Sequence, residues 1–582
     1  MAARQRFSLL LIKPSHYDDD GYVIQWIRSG IPSNSLAVVH GLALDCRDRH
    51  VLGGDVDIVI TAQDEDNTRI LPKRIIRQLS GERGLVLLTG VQSNQFPRAM
   101  DLARPLRAAG IQVCIGGFHV SGCLSMLPEM TPELKEATDL GISLFAGEAE
   151  EGRLDQVLRD AWQGTLKPLY NYLSDLPSLE GAPVPMLPAA QIRNTIGKCT
   201  SFDAGRGCPF QCSFCTIINV QGRKSRRRSA DDVEQIVRRN LAQGVSRFFI
   251  TDDNFARNLD WEQIFDRLIV MREQEKLNIK FTIQVDTMCH RLPHFIEKAG
   301  RAGVRRVFIG LESINPDSLM GARKKQNKIA EYRKMLIEWK RAGAIVFAGY
   351  IIGFPEDTPE SVMRDIRIIQ RELPIDLLEP NIMTALPGSE DHQKLHKAGA
   401  YLDPDLNRYD LEHVTTVHSR MSAGQWKELY WDAWREFYSV EHMETVLRRA
   451  AATGISAGNM WALLLWFHSC ATMEKLHPLQ GGVLRRKYRR DRRPTLPRES
   501  PLIFYPRFAA EFLHKHFKLV QLVWRFHRFQ RQLQRDPSAR GYTDVALTAD
   551  QADDPELLEL FSAHPMAAKA VTAAERKPIE VH

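Results

Sequence analysis

Gly205-Arg-Gly-Cys-Pro-Phe-Gln-Cys-Ser-Phe-Cys215 puts Cys208, Cys212 and Cys215 in a C-x-x-x-C-x-x-C spacing, within a turn rich in Gly and Pro. Three thiolates this close in sequence suit three corners of a cubane iron–sulfur cluster, because soft sulfur ligands favour such sites. The set is one short of the usual four cysteines, so one iron would stay open to a substrate or cofactor. A structural zinc competes with this reading, but it would want a fourth Cys or His with paired C-x-x-C spacing. Three unconnected cysteines are the bland alternative.

Downstream of this loop, short apolar runs alternate with helix-like stretches. Ser246–Thr251, Lys280–Val285, Arg306–Gly310, Ile345–Ile352 and Leu377–Thr384 read as strands, and a sixth leads into the cysteine loop. Six βα units predict an open, partial (β/α)6 barrel, whose chemistry belongs at the carboxyl ends of its strands. Those ends carry Thr251-Asp252-Asp253-Asn254, Gln284-Val-Asp286, Gly310-Leu-Glu312-Ser313, Gly349-Tyr-Ile-Ile-Gly353 and Thr384-Ala-Leu-Pro387. One such group is usually a turn or a helix cap. Five in register after successive strands point to a site.

Residues from about 195 to 395, with the cysteine loop and Phe214 just before its last cysteine, closely resemble the radical S-adenosylmethionine superfamily. The resemblance implies a [4Fe-4S] cluster on Cys208, Cys212 and Cys215, with S-adenosylmethionine chelating the open iron. It places Asp252, Asp253 or Asn254 at the amino group and Glu312 and Ser313 at the sugar or carboxylate. Gly349, Ile351 and Gly353 would lie against the adenine. It also implies a reducing electron donor such as a flavodoxin or ferredoxin, and a 5′-deoxyadenosyl radical as the product of carbon–sulfur cleavage. Tyr350, Cys289 and His290 read as ordinary packing or loop.

Upstream, Phe7–Ile12, Asp57–Thr61, Gly84–Thr89, Gly110–Ile115 and Ser143–Ala146 are short apolar runs separated by helix-like stretches. This predicts a doubly wound, Rossmann-like α/β domain that binds ligands beyond its strand ends. Gly90-Val-Gln-Ser-Asn-Gln-Phe96 and Gly116-Gly-Phe-His119 occupy two of those ends, and paired glycines admit a flat ligand or a phosphate close to the backbone. Gly116–His119 and Ala146-Gly-Glu-Ala-Glu150 resemble the cobalamin-binding domain found ahead of many radical enzymes. By that resemblance Gln92, Ser93, Asn94, Gly116 and Gly117 flank the cofactor's dimethylbenzimidazole tail. The D-x-H-x-x-G motif for a lower-axial histidine is absent, and the first loop reads Ser15-His-Tyr-Asp-Asp-Asp-Gly-Tyr22. Either cobalt has no histidine beneath it, with His16 a stray, or the domain does not bind cobalamin. A methylthiotransferase's second cluster is the rival for this segment, but Cys46, Cys114 and Cys123 are poorly spaced for it and read as buried hydrophobes.

The 582 residues suggest about three to four domains. The expected division is 1–170 for the α/β domain, 171–194 for a proline-rich linker, 195–400 for the barrel, 401–536 for a helical domain and 537–582 for a flexible tail. Nine cysteines in so long a chain do not form a disulfide framework, and Met1–Ser8 lacks a signal-peptide pattern. A cytoplasmic enzyme is the expectation. No apolar run approaches the roughly 18 residues that span a bilayer. The net charge of +7 concentrates in Arg485-Arg-Lys-Tyr-Arg-Arg-Asp-Arg-Arg493, followed by a helix-like stretch of interleaved basic and aromatic residues, Phe508–Phe529. A solvated basic face, a membrane-surface helix and nucleic-acid binding compete there; without an RNA-binding module, nucleic acid is the weakest of the three.

The reading as a whole is a cobalamin-dependent radical S-adenosylmethionine enzyme, a methyltransferase on an unactivated carbon of a small-molecule or lipid-like substrate. A cyclase or oxidoreductase of the same architecture, or a non-catalytic cofactor-binding regulatory protein, are the alternatives.

Overall fold

The computed structural model describes residues 5–548 and 558–564. Strands β1 (Gln5–Lys13), β2 (Gln25–Ser29), β3 (Val56–Asp64), β4 (Arg83–Leu88), β5 (Gln112–Gly116), β6 (Ser143–Ala146) and β7 (Leu169–Asn171) occupy the first 171 residues. All but β2 form one parallel sheet in the order β3-β1-β4-β5-β6-β7. The runs Phe7–Ile12 and Leu85–Leu88 are buried, as strands covered by helices on both sides must be. The order reverses between β1 and β4, and such a reversal opens a crevice beyond the strand ends.

The second sheet comprises β8 (Cys199–Phe202), β11 (Arg247–Ile250), β12 (Lys280–Val285), β13 (Val304–Glu312), β14 (Ile345–Ile352) and β15 (Leu377–Ile382), parallel and neighbouring in that order. Between β8 and β11 the short β9 (Gly205–Arg206) and β10 (Arg226–Arg227) form an antiparallel clip around the cysteine loop. The sheet is the expected six-stranded partial barrel. Helices Ala423–Phe437, Val440–Ala452 and Ala457–His468 pack on it, and their aromatic residues join its hydrophobic core.

Three segments differ from the sequence expectation. Residues 171–194 are a strap and not a loose linker: Leu179, Leu187 and Ile192 are buried, and Met186 N–H donates to the Ala37 carbonyl at 3.0 Å. The expected flexible tail is packed where it is described. Arg449 pairs with Asp544 at 2.7 Å, the backbone N–H of Leu560 donates to Glu372 at 2.8 Å, and His564 meets Asp365 at 3.0 Å. The rest of 537–582 lies outside the described residues. Finally, the basic stretch is folded in. Its first two residues end β16 (Gly482–Arg486), antiparallel to β2, and Arg485, Lys487 and Arg493 pair with Asp18, Asp18 and Asp405 at 2.9, 3.1 and 2.7 Å. The acidic loop after β1 thus serves as counter-charge, and His16 is buried against Gln480 at 2.9 Å.

A buried ion cluster joins the two sheets. Arg206 on β9 donates to Glu148 at 2.5 Å and Glu150 at 2.6 Å, both from the loop after β6, and to Asp203 at 3.1 Å. Arg226 of β10 also binds Glu148, at 2.8 Å in one of its contacts. Removing one partner of a buried pair strands the remaining charges, at a cost of about 3–5 kcal/mol. Arg206→Met is therefore expected to lower stability by about that much and to open the strap at 171–194 to limited proteolysis. An unchanged urea midpoint and cleavage pattern would contradict this role.

Candidate active site between the two sheets

The carboxyl ends of both sheets line one cavity of about 290 Å³. From the first sheet come Thr89, Gly90, Gly116, Gly117, Phe145 and Gly147–Glu150; from the barrel come Asp203, Gly205, Arg206, Thr251 and Asp253.

The residues that bracket the cysteine loop, Gly205 and Arg206 before it and Ile217, Val220 and Gln221 after it, form one wall, while Cys208, Cys212 and Cys215 lie just behind that lining. Gly207 has φ +90°, and a Cβ there would sit 2.4 Å from the Lys224 carbonyl, so the turn into Cys208 admits only glycine without strain. The Ser213 N–H donates to the Ala322 carbonyl at 3.2 Å, and Gln326 donates to the Cys212 sulfur at 3.5 Å. Burial raises the Cys208 thiol to about 11 and the Cys215 thiol to about 12, and the nearby Asp253 and Cys212 add to both. Loading a metal group must therefore displace protons. The three sulfurs do not all lie within 4.8 Å of one another, whereas ligands of one tetrahedral zinc at ~2.3 Å must. That wider triangle fits a polynuclear cluster and not a single zinc ion.

The three polar residues after β11 have different roles. Asp252 accepts from the Ala204 and Gly205 N–H groups at 2.7 and 2.8 Å and from Asn258 at 3.0 Å, which ties the cysteine loop to the barrel. Asn254 is bonded to Asp286, at 2.8 Å through its amide nitrogen. Asp253 alone of the three lines the cavity; burial first, and then the charge of Asp252, push its carboxyl up to about 7.

On β13, Glu312 sits at φ +63° beside a register shift and forms an ion pair with Lys324, whose ammonium also lies 5.8 Å from the Phe214 ring centre. A Cβ on Gly310 would come within 2.8 Å of both partners, so this pair fills the barrel face at Gly310. The Ser313 hydroxyl is turned into its own loop and accepts from Asn315 N–H at 2.9 Å. Gly349 and Ile351 lie on the barrel's inner face, Gly349 beneath Phe308. Gly353 answers to packing: at φ +118°, a Cβ would stand 1.9 Å from the ring of Trp426, whose indole N–H donates to the Ile352 carbonyl at 3.0 Å.

In the first sheet Gly116 and Gly117 line the cavity, and Gly117 (φ +151°) packs against the Val91 backbone, where a Cβ would be 2.2 Å from nitrogen. Gln92, Ser93 and Asn94 form the next turn outside the cavity lining. Ser93 contacts His119 at 3.1 Å, and the buried side-chain carbonyl oxygen of Asn94 has no partner among the described residues. The glycine cradle and this orphaned acceptor beside it fit a flat, hydrogen-bonding ligand over these loops. Among the described residues no histidine lines the cavity.

Sequence reasoning missed Glu379. Register aligns it with Gly349 on the barrel's inner face, where it is buried, and burial pushes its carboxyl up to about 8. Among the described residues nothing donates to that carboxyl, and the neighbouring inward Asn381 has an unpartnered carbonyl oxygen. A lone Glu inside a strand reads as a solvent-facing residue, so only the structure reveals it.

The profile of the radical SAM superfamily matches residues 204–369. The bacteriochlorophyllide d C-12(1)-methyltransferase of Chlorobaculum tepidum is 25% identical over 337 residues, 57% of this chain and 70% of that protein. The hopanoid C-2 methylase of Rhodopseudomonas palustris is 23% identical over 369 residues, 61% of this chain and 65% of that one. Among solved structures, the radical S-adenosylmethionine methyltransferase TsrM from Kitasatospora setae, with cobalamin and a [4Fe-4S] cluster bound, superposes with a TM-score of 0.50. It shares 15% identity over 68% of this chain and 79% of its own, a likeness of fold.

Glu379 has a consequence for stability. Its folded value of about 8 lies above the ordinary 4.5, so the folded state holds a proton that the unfolded state releases. Stability from this group is complete below pH 4.5 and is lost as pH rises towards 8, at about 1.4 kcal/mol per pH unit. Glu379→Gln is expected to flatten the stability–pH profile over that window. Parallel profiles for the two proteins in denaturant titrations would refute a buried, protonated Glu379.

Proposed function

Because residues 204–369 match the radical SAM superfamily, we propose that this chain is a cobalamin-dependent radical S-adenosylmethionine methyltransferase that acts on an unactivated carbon of a large, mostly apolar small molecule. The observation that carries this reading is the shared cavity, which sets Gly205-Arg206 and Ile217, the residues on either side of the cysteine loop, and Asp253 opposite the Gly116-Gly117 cradle. The named activities of the bacteriochlorophyllide and hopanoid relatives support methyl transfer and an extended ring-system substrate.

When bound, the cluster and S-adenosylmethionine would supply a hydrogen-abstracting 5′-deoxyadenosyl radical, and the corrinoid a methyl group. Cys208, Cys212 and Cys215 would hold three irons and leave the fourth for chelation. Asp253 is the carboxylate available to receive the cofactor's ammonium; as an acid of about 7 it would be held ionised by that charge. Arg206 neutralises three carboxylates and keeps the two cofactor loops at fixed separation. The Glu312–Lys324 pair and the protonated Glu379 offer polar contacts on an inner face otherwise lined by Phe308, Phe347 and Ile351. Helices Ala423–Phe437 and Ala457–His468 bring Trp434 and Phe467 towards Phe347 and exclude water from that side.

Asp253→Ala, reconstituted anaerobically, is expected to keep its iron but to bind S-adenosylmethionine at least about tenfold more weakly, as loss of a charged hydrogen bond requires. Wild-type protein should release 5′-deoxyadenosine on reduction, and Cys212→Ala should lose the cluster. Intact iron in Cys212→Ala, or no 5′-deoxyadenosine from clustered wild type, would defeat the radical reading. A failed methylcobalamin titration would defeat the corrinoid part alone.

A further inference from the structure

The helix Pro501–Arg535 runs 35 residues across the outside of the molecule, yet buries only Phe504 and Phe526. Phe504 packs on Tyr22 with ring centres 5.3 Å apart, and Phe526 enters the main core. At 3.6 residues per turn, Leu502, Leu513, Phe517, Val520 and Trp524 fall within about 60° of one another, on the side opposite those two anchors. All five are between 61 and 85% exposed. They form a line about 33 Å long at the ~1.5 Å rise of a helix. An isolated exposed Leu is unremarkable; a continuous apolar line on an outward helix face marks a contact surface.

The charge on the same helix narrows what the contact is. The segment carries seven Lys and Arg residues against one acid, Glu511, and that acid is paired with Lys515. Arg528 is exposed at the border of the apolar line, Lys518 and Arg525 are exposed further round on the same side, Arg525 beside Glu444 at 3.4 Å, and beyond Trp524 the outward face itself turns cationic with Arg531 and Arg535. Arg528 lies over the Trp524 ring, 4.7 Å from its centre, so the line ends in an aromatic–cation pair. A second copy of this helix would bring like charges together. Nucleic acid would gain contacts with the cations but none with the leucine, valine and phenylalanine between them. An anionic bilayer surface satisfies both features: the apolar line sinks to the acyl boundary while the flanking cations meet lipid phosphates.

We propose that helix Pro501–Arg535 is a membrane-surface anchor that lies flat on anionic lipid through Leu502–Trp524, with its cations at the headgroups. It is separate from the Arg485–Arg493 stretch, several of whose cations are held by acids of the protein itself. The proposal is independent of the chemistry assigned to the cavity, since it rests on surface residues alone.

Sedimentation of the full-length protein with vesicles tests it. Binding is expected to vesicles of phosphatidylcholine with about one-third phosphatidylglycerol, and to weaken about tenfold or more on pure phosphatidylcholine or at high salt. The double change Leu513→Glu and Phe517→Glu, at exposed positions, should abolish binding while leaving the thermal unfolding midpoint in place. Lys518→Glu with Arg528→Glu should remove only the preference for anionic lipid. The proposal fails if the wild type stays in the supernatant with anionic vesicles, or if the double change at Leu513 and Phe517 leaves sedimentation unaltered. It also fails if the unliganded protein is a dimer in light scattering that this double change splits, because the helix then covers itself.

Discussion

Everything about the site depends on the guanidinium of Arg206. It sits two residues before the first cluster cysteine and binds Glu148, Glu150 and Asp203, all buried, at the wall of the cavity. Three buried carboxylates around one arginine would be untenable without the second cation, Arg226, on the paired strand. The result is a rigid, oppositely charged bolt through the two sheets. Weak inter-domain contacts normally allow domains to move relative to each other; a desolvated ion cluster of this kind opposes such motion. Two cofactor loops from different domains can then face each other at a constant distance, as chemistry shared between them requires.

Much of this architecture is written in the chain as alternating apolar runs, because parallel strands buried on both faces are locally distinctive. Five of the six strands of the first sheet, all those of the second and the cysteine loop are readable for that reason; the three-residue β7 is too short to carry the signal. What escapes is what depends on partners remote in sequence. β2 and β16 are short, half-polar and paired across the length of the protein, so neither carries a periodic signal. The same limit applies at the site. Asp252, Asp253 and Asn254 look alike in sequence, and only the hydrogen bonds to Ala204, Gly205 and Asp286 separate two structural residues from one that faces the cavity. Gly353 invites a cofactor explanation but is accounted for by Trp426.

The C-terminal region shows how a charge run can mislead and inform at once. Arg485 and Lys487 are the counter-ions that the acidic loop after β1 requires and Arg493 is that of Asp405, and their charged ends lie over Trp26, Tyr22 and Tyr17. By composition alone they are indistinguishable from Lys518, Arg528, Arg531 and Arg535 of the following helix, which are exposed beside an apolar line. Burial and pairing distinguish an internal counter-charge from an outward one; net charge does not.

The pairing of β2 with β16 also constrains how the molecule comes into being. Arg486 lies opposite Gln25, 461 positions earlier in the chain. At about 5–20 residues per second, the N-terminal domain waits about 20–90 s on the ribosome before its last strand partner exists. Closing so long a loop is slow, so the first domain synthesised is the last to be completed. During that interval the barrel can form, since its last strand ends at Ile382, about a hundred residues before β16. The order of synthesis thus completes both parallel sheets before the strand that ties β2 down exists.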